Sequence, residues 1–260
     1  MGFKKVLASL GAGGASVETV LFEENVVPGG LVQGEVRIQG GSVPQAIQGL
    51  SVGLAARVED EPGGGGVPRD VAFGGRRLGG AFEVQPGAVH TVPFGLEVPW
   101  EAPLTDLLGQ ALSGAGTGVT TQLAIARAVD SHDLDPVRVH PVPAQQAVLE
   151  ALRRLGFHFS GAAVVAGQIH GTRQQLPFHQ EFTFAAPPQH RGLGEVALAF
   201  VADGREMDVV WEMDKGSRPF HSEADSHRSR TVGMDAVEGT DWAGCLTHWL
   251  AEVGGRRNWL

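Results

Sequence analysis

Four side chains near the C-terminal end of the sequence have the types and spacing of metal ligands. His221, Glu223, Asp225 and His227 occupy every second position. In an extended segment such residues project from one face, where imidazole and carboxylate groups can bind a transition metal together. The neighbouring residues are polar and typical of a solvated loop. A metal-binding protein or metal-dependent enzyme is therefore kept as the alternative hypothesis, and the leading one assigns no metal.

A second group of charged side chains lies just before a predicted change of structure. It comprises Asp130, Asp133, Asp135 and Arg138. Charged groups that become buried between two domains must pair, so these four are the candidates for interdomain polar contacts. The alternative is that they are exposed loop charges, which contribute little to stability.

Motifs that would indicate catalysis are missing from the sequence. There is no G-x-S-x-G nucleophile elbow, C-x-x-C pair, H-E-x-x-H zinc motif, calcium loop or dinucleotide fingerprint. The single cysteine, Cys245, falls in an apolar helical stripe and is interpreted as a packing residue. We predict no catalytic residues, no cofactor and no enzymatic activity.

The composition of the chain limits the classes of binding partner and the cellular compartment that we expect. The 260 residues carry a formal net charge of -9, which disfavours nucleic acid and anionic membrane surfaces as ligands. No apolar run is long enough to span a membrane, and the apolar residues 6–10 are too few for a signal peptide. We expect a short N-terminal helix there. A lone cysteine suits a reducing compartment, so we predict a cytoplasmic protein.

Apolar residues alternate with polar ones through much of the first half of the chain. Val32, Val36 and Ile38 share one parity, and residues 50–58 and 92–98 show the same period of two. This period places one set of side chains on one face of a strand. Pro28-Gly29 has the residues of a type II turn. The pattern predicts a first β-sandwich over residues 1–140.

A helical period interrupts the strands at residues 141–156. Val148, Leu149, Leu152 and Leu155 lie on one helical face, and Gly156 follows where a left-handed C-terminal residue is favoured. We interpret this segment as a linker helix between two domains.

Alternation returns after the linker and predicts a second sandwich over residues 157–235. Its clearest feature is a hairpin at Asp203-Gly204, a dipeptide typical of type I′ turns. A two-residue loop there pairs the apolar residues on one face. The predicted pairs are Phe200 with Met207, Leu198 with Val209, and Val196 with Trp211.

The last predicted element is a helix in the C-terminal segment 236–260. It is expected to run over residues 241–253, with Thr240 as its N-cap and Gly254 at its end. One face carries the apolar side chains Trp242, Cys245, Leu246, Trp249 and Val253. The simplest interpretation is that this face docks onto its own domain.

Several ordered segments resemble a known family. Residues 17–21, 27–30 and 32–41 resemble the first strands of arrestin-like domains, as does the V-P-F-x-L-x-V-P strand at residues 92–99. Further segments resemble bacterial sporulation-control proteins of the stage-zero M type. These segments are residues 3–11, 128–130, 139–141, 148–157 and 176–184.

The resemblance implies an all-β protein of two consecutive arrestin-like β-sandwich domains, with a short linker helix and a C-terminal helix. It also implies no known catalysis and a regulatory role in sporulation, the cell cycle or stress responses. Such a role would be exercised as a scaffold, through protein partners that the sequence does not identify, and a homo-oligomer is left open. Unpaired sheet edges and the hinge at residues 140–144 are the expected contact surfaces.

Overall fold

The computed structural model describes residues 8–9, 14–60, 67–112, 116–125, 131–190, 193–213 and 227–257. Strands dominate, and two α-helices complete the described part of the chain, so the predicted all-β class with two helices is confirmed. None of the helices in the described ranges is long and apolar enough to cross a membrane.

The regular elements are numbered in chain order. The first strands are β1 (Ala8–Ser9), β2 (Ser16–Leu21), β3 (Asn25–Val26), β4 (Leu31–Gln39), β5 (Gln45–Val58), β6 (Arg69–Gly79), β7 (Phe82–Val84), β8 (Val89–Glu97), β9 (Asp106–Leu107), β10 (Gln110–Ala111), β11 (Thr117–Ile125), β12 (Ser131–Pro136) and β13 (Arg138–Val139). The remaining elements are α1 (Pro143–Arg154), β14 (His158–Ala166), β15 (Phe178–Ala185), β16 (Glu195–Ala202), β17 (Glu206–Met213), β18 (His227–Gly233), a 3₁₀ turn (Val237–Gly239) and α2 (Trp242–Arg257).

The elements form two compact units that alternate along the chain. The first comprises the described parts of Met1–Ala56, Asp70–Pro99 and Gly116–Val139. The second comprises the described parts of Arg57–Arg69, Trp100–Ala115 and His140–Leu260. The predicted domain boundaries at residues 140, 156 and 235 stay predictions.

Two antiparallel sheets and a short parallel pair, β3 with β13, build the first unit. One has the strand order β1-β2-β4-β8, and the other has the order β12-β11-β5-β6 with β7 also on β5. Along β4 the predicted alternation is confirmed, because Val32, Val36 and Ile38 are buried between exposed neighbours. At the predicted type II turn, Gly29 has a φ of 77° and the N–H of Gly30 donates to Val27 O over 2.9 Å.

The N-terminal segment departs from its prediction. Ala8–Ser9 forms a strand that pairs antiparallel with β2, with Ala8 opposite Val17. The predicted helix is therefore wrong at these residues, because the edge of β2 offers backbone partners that a short, glycine-interrupted helix could not match. Residues 1–7 and 10–13 lie outside the described ranges.

The second unit is built on one five-stranded antiparallel sheet in the order β14-β15-β16-β17-β18. Seven of the eight residues of β16 are buried, so this central strand is covered on both faces. One face holds large apolar side chains, and Trp211 on β17 packs against Trp249 of α2 with ring centroids 5.3 Å apart. The stripe of α2 therefore docks on its own unit, as the sequence indicates.

The predicted hairpin forms, but its register is wrong by two residues. Phe200 lies opposite Val209, Leu198 opposite Trp211, and Val196 opposite Met213. The Asp203 carboxylate accepts the N–H groups of Arg205 and Glu206 at 2.7 and 2.8 Å, so Asp203 opens the turn instead of occupying its centre. A two-residue shift keeps every side chain on its predicted face.

Helix α1 confirms the helix predicted for this segment and its C-terminal signal, while its role as a linker stays a prediction. Gly156 has a φ of 88°, and its N–H donates to Arg153 O over 3.0 Å. The N–H of Phe157 donates to Leu152 O over 3.0 Å, which completes a Schellman motif. At the other end, the Gln145 side chain accepts the N–H of Val142 over 3.0 Å. These bonds fix both ends of the helix.

Helix α2 differs from its prediction at both ends. Asp241 supplies the N-cap in place of Thr240, because its carboxylate accepts the N–H of Gly244 over 2.9 Å. The helix continues through Gly254 to Arg257. Cys245 is partly exposed, whereas Trp242 and Leu246 are buried on the predicted face.

Candidate functional site

The predicted metal-ligating residues are mostly beyond what the structure describes. His221, Glu223 and Asp225 lie outside the described ranges. His227 is the first residue of β18, where its backbone pairs opposite Glu212. Within the described ranges, no group of three or more histidine, cysteine, aspartate or glutamate side chains is arranged to hold a metal ion. The alternative metal hypothesis stays a prediction.

The four residues predicted to make interdomain contacts fall within or beside the first unit. Asp130 lies outside the described ranges, and Asp133 and Asp135 belong to β12, opposite Thr121 and Val119. Arg138 is exposed on β13, and its N–H donates to Glu24 O over 2.6 Å. The predicted interdomain contacts therefore stay a prediction.

A short hairpin in the second unit forms one wall of the best-defined groove. Strands β9 and β10 pair with Leu107 opposite Gln110, which leaves Leu108 and Gly109 as the two-residue turn. Both turn residues have positive φ, 51° and 79°, as a type I′ turn requires. Buried Leu107 and Leu112 anchor the two strands. The hairpin is thereby held rigidly at its base and exposed at its tip.

Helix α1 forms the opposite wall. Gln146, Leu149, Glu150 and Arg153 are three or four residues apart and share one helical face. The Gln146 amide donates to the Glu150 carboxylate over 3.1 Å. With His140 and Pro141 at the entrance to the helix, these side chains and the hairpin enclose a cavity of about 430 Å³. We call it the hairpin–helix groove.

The hairpin–helix groove combines apolar surface with charges of both signs. Asp106 and Glu150 contribute carboxylates, whereas Arg153 and His140 contribute basic groups. His140 Nδ1 lies 3.8 Å from Asp106 Oδ1, and these side chains are 38% and 23% exposed. That separation permits attraction to a protonated imidazole but is too long for a hydrogen bond. The groove is thus accessible to solvent and carries charges of both signs.

Leu108 is held in an unfavourable backbone conformation at the rim of the groove. In the described ranges it is the only residue other than glycine with a positive φ. The left-handed region costs an L-residue about 1–2 kcal/mol. Leu108 is 39% exposed, so packing of its side chain does not fully offset this cost. Strain of this kind clusters at functional positions.

Of the groove residues, only His140 and Pro141 belong to a surface predicted from the sequence, the hinge at residues 140–144, although two further signals were present. The dipeptide Leu108-Gly109 between short polar and apolar residues is compatible with a two-residue turn. The polar stripe on α1 is opposite to the apolar face that predicted the helix. Neither signal indicates that the hairpin and the helix face each other across a groove, because that depends on the fold.

The fold and the groove define a class: a mainly β protein with an open surface groove of mixed character. The particular family follows from comparison with known proteins. The family model described as SpoOM protein (Spo0M) matches residues 3–217, so the chain belongs to this family.

A sequence comparison and a structural comparison support the assignment. The chain is 32% identical over 221 residues to the sporulation-control protein spo0M of Bacillus subtilis (strain 168), covering 83% of this chain and 81% of that protein. The crystal structure of Spo0M, sporulation control protein, from Bacillus subtilis superposes with a TM-score of 0.80 at 27% identity. That match covers 92% of this chain and 99% of the crystallised one.

Proposed function

We propose that this chain is a non-enzymatic, cytoplasmic regulator of sporulation that acts by binding a protein partner in the hairpin–helix groove. The similarity to a protein named for sporulation control supports the regulatory part. The observation that carries the binding part is Leu108, a strained and exposed apolar residue at the rim of an accessible groove.

The geometry of the groove favours binding over chemistry. A general base must come within about 3 Å of the group that it deprotonates or of its orienting partner. The His140–Asp106 pair is separated by 3.8 Å, and both side chains are open to solvent. Among the residues that the structure describes, the groove lining has no serine, threonine or cysteine that could act as a nucleophile. Exposed apolar side chains ringed by charged ones are the usual composition of a protein contact.

A sheet edge in the same unit offers a second means of contact. Strand β14 is the outer strand of the five-stranded sheet, and Phe159 near its start is 36% exposed. The far end of the strand is protected, because Glu59 exchanges backbone hydrogen bonds with Val164 and Ala166 at 2.8 and 2.9 Å. The start of β14 is therefore the part of this edge that suits strand addition by a partner.

Complementation tests the regulatory role. The gene for this chain is expressed in a Bacillus subtilis strain from which its own spo0M has been removed, and heat-resistant spores are counted. We expect the intact chain to return the count to that of the parental strain. A count that stays at the level of the deletion strain contradicts the sporulation role.

Matched leucine variants test the groove. Leu108→Asp places a charge at the rim, and Leu31→Asp places one on an exposed leucine of the first unit, on β4. We expect the first variant to lose complementation and the second to retain it, with both proteins unfolding at the temperature of the intact chain. Full complementation by Leu108→Asp contradicts the assignment of the groove.

Cross-linking tests whether the groove is occupied in cells. A photoreactive amino acid placed at position 108 should trap one protein reproducibly, and the same amino acid at position 31 should not. Trapping of the same proteins from both positions contradicts a specific contact at the groove.

A further inference from the structure

A second groove lies in the first unit, on the outer face of the sheet that contains β5, β6 and β11. Its volume is about 400 Å³. Thr121 of this sheet faces the other sheet of the unit, since its hydroxyl lies 2.7 Å from that of Thr19 on β2. The groove is lined by its neighbours Thr120 and Gln122, so it lies on the side turned away from that core. We call it the arginine groove. It is lined by Ser51, Val52, Gly53, Ala72, Gly75, Arg76, Arg77, Thr120 and Gln122.

Two glycines leave the floor of the arginine groove without side chains. A Cβ at Gly53 would lie 3.1 Å from Gly75 Cα, which is closer than most real Cβ contacts. A Cβ at Gly75 would meet Val52 O at 3.5 Å and Gly53 Cα at 3.8 Å, both ordinary contacts. The backbones of β5 and β6 thus approach closely, and an incoming chain can reach the sheet surface there.

Arg76 and Arg77 of β6 both line the groove, and backbone carbonyls hold each in place, Arg77 against β5 of this sheet and Arg76 against β8 of the other. Arg76 Nη1 donates to Gly95 O over 3.0 Å. Arg77 donates from Nε to Gly79 O over 2.9 Å and from Nη2 to Gln48 O over 3.0 Å. Carbonyls fix the guanidinium groups without neutralising their charge, and each group retains N–H donors for a ligand.

Neither guanidinium has an acidic partner in the described part of the chain. Other arginines do: Arg37 pairs with Glu35, Arg69 with Asp60, and Arg173 with three carboxylates. These two positive charges are adjacent in a chain whose net charge is -9. They are exposed and preorganised, so little side-chain entropy remains to be lost when an anion binds.

We propose that the arginine groove binds an acidic peptide segment of a protein partner. The carboxylates would accept the remaining N–H groups of Arg76 and Arg77, and the hydroxyl groups of Ser51 and Thr120 line the same groove. A short acidic peptide segment suits the site better than nucleic acid, since two arginines can pair with a few carboxylates, whereas a continuous phosphate backbone needs an extended basic surface, which a chain of net charge -9 disfavours. This proposal concerns the first unit and does not rest on the function assigned to the hairpin–helix groove.

Fluorescence anisotropy with a defined probe tests the proposal. The probe is a fluorescein-labelled peptide of alternating glutamate and glycine, and its matched control has glutamine in place of glutamate. We expect the full-length chain to bind the glutamate peptide at least tenfold more tightly than the glutamine peptide, with affinity that falls as salt is added. Equal binding of both peptides overturns the proposal.

Variants locate the binding site. Arg77→Gln and the double change Arg76→Gln with Arg77→Gln should weaken binding of the glutamate peptide about tenfold or more, as expected for charge-assisted contacts. Arg37→Gln removes one exposed positive charge from β4 in the same unit and should leave the affinity within about twofold. An equal loss in Arg37→Gln, or no loss in the groove variants, overturns the proposal.

A variant that changes no charge tests the groove even if the arginine variants fold poorly. Gly75→Val adds a side chain to the groove floor at a position with room for a Cβ, and it should weaken binding while both arginines remain. Unaltered affinity in folded Gly75→Val overturns the assignment of the groove. A single-stranded oligonucleotide that binds more tightly than the glutamate peptide would overturn the choice of partner.

Discussion

Gln180 and Leu104 are joined by two hydrogen bonds although they are 76 residues apart in the sequence. The N–H of Leu104 donates to Gln180 Oε1 over 2.7 Å, and Gln180 Nε2 donates to Leu104 O over 2.8 Å. The Gln180 side-chain amide thus satisfies both backbone groups of Leu104, as a neighbouring strand would. It fixes the segment that leads into the β9–β10 hairpin against the central sheet of the second unit.

We predict that Gln180→Leu destabilises the protein by about 3 kcal/mol, because it leaves a buried N–H and a buried C=O of Leu104 without partners. Denaturant unfolding followed by tryptophan fluorescence measures the loss. Gln175→Leu is the control: its side-chain amide makes one exposed bond, to Arg173 O over 3.1 Å. We expect the control to cost less than about 0.5 kcal/mol, and equal losses would contradict the role of Gln180.

A second prediction concerns the polar contact between the two sheets of the first unit. Thr19 Oγ1 and Thr121 Oγ1 are buried and 2.7 Å apart. Thr121→Val should cost about 1–3 kcal/mol, because the Thr19 hydroxyl loses its partner, and the double variant Thr19→Val with Thr121→Val should recover part of that loss. A double-mutant cycle by urea denaturation measures the coupling. Additive losses would show that the hydroxyls do not interact.

The strained turn of the hairpin–helix groove leads to opposite expectations for stability and function. Leu108→Gly should stabilise the protein by about 1 kcal/mol, since glycine tolerates a φ of 51°. The same change should weaken complementation, because the rim loses its apolar side chain. Thermal unfolding and spore counts measure the two effects. Gly109→Ala is the converse control, and it should destabilise the turn because its φ is 79°.

The pKa of Glu101 gives a prediction for acid conditions. Burial raises this pKa above its ordinary value, and the N–H groups of Leu176 and Gln175 that donate to the carboxylate offset the effect only in part. The folded state therefore holds the proton more tightly than the unfolded chain. The resulting contribution to stability is fully present below the ordinary pKa and is lost as pH rises through the raised pKa.

Glu101→Gln removes this titration and keeps an acceptor for the N–H groups. We expect the variant to gain stability relative to the unaltered chain as pH rises from about 4.5, until the carboxyl is fully ionised. Denaturant midpoints across this range measure the difference. A difference that does not change with pH would contradict the raised pKa.

Asp203 should respond to pH in the opposite direction. The N–H groups of Glu206 and Arg205 lower the pKa of its carboxyl. Its contribution to the hairpin is therefore present above the ordinary pKa and lost as pH falls through the lowered one. In Asp203→Ala, the amide protons of Arg205 and Glu206 should exchange faster with solvent at neutral pH. Asp203→Asn, which keeps an acceptor, should retain protection.

The periodic features could be predicted because they depend only on local geometry. The alternation along β4 predicted its buried residues, and the helical period with Gly156 predicted α1 and its end. The hairpin register could not be obtained in this way. Phe200 finds an apolar partner opposite Val209 as well as opposite Met207, so the pattern does not choose between them. The hydrogen bonds of the Asp203 carboxylate make that choice.

The two grooves were beyond the reach of sequence patterns for a different reason. Asp106 and Arg153 become neighbours only because the β9–β10 hairpin and α1 line the same cavity. Arg77 of β6 lies across β5 only because Gly49 has no side chain there to displace its guanidinium group. Such contacts join segments that are distant in the chain, and the periodicity of one segment does not predict them.

The alternation of the two units along the chain has a consequence for synthesis on the ribosome. Arg57–Arg69 and Trp100–Ala115 belong to the second unit but are made before the first unit is complete at Val139. The nascent chain must therefore carry them without the rest of the second unit while the first unit closes, and Leu104 can bond to Gln180 only after Gln180 has been synthesised. A premature stop after residue 139 would leave a fragment in which these two segments lack the rest of the second unit. We expect quality-control proteases to remove it.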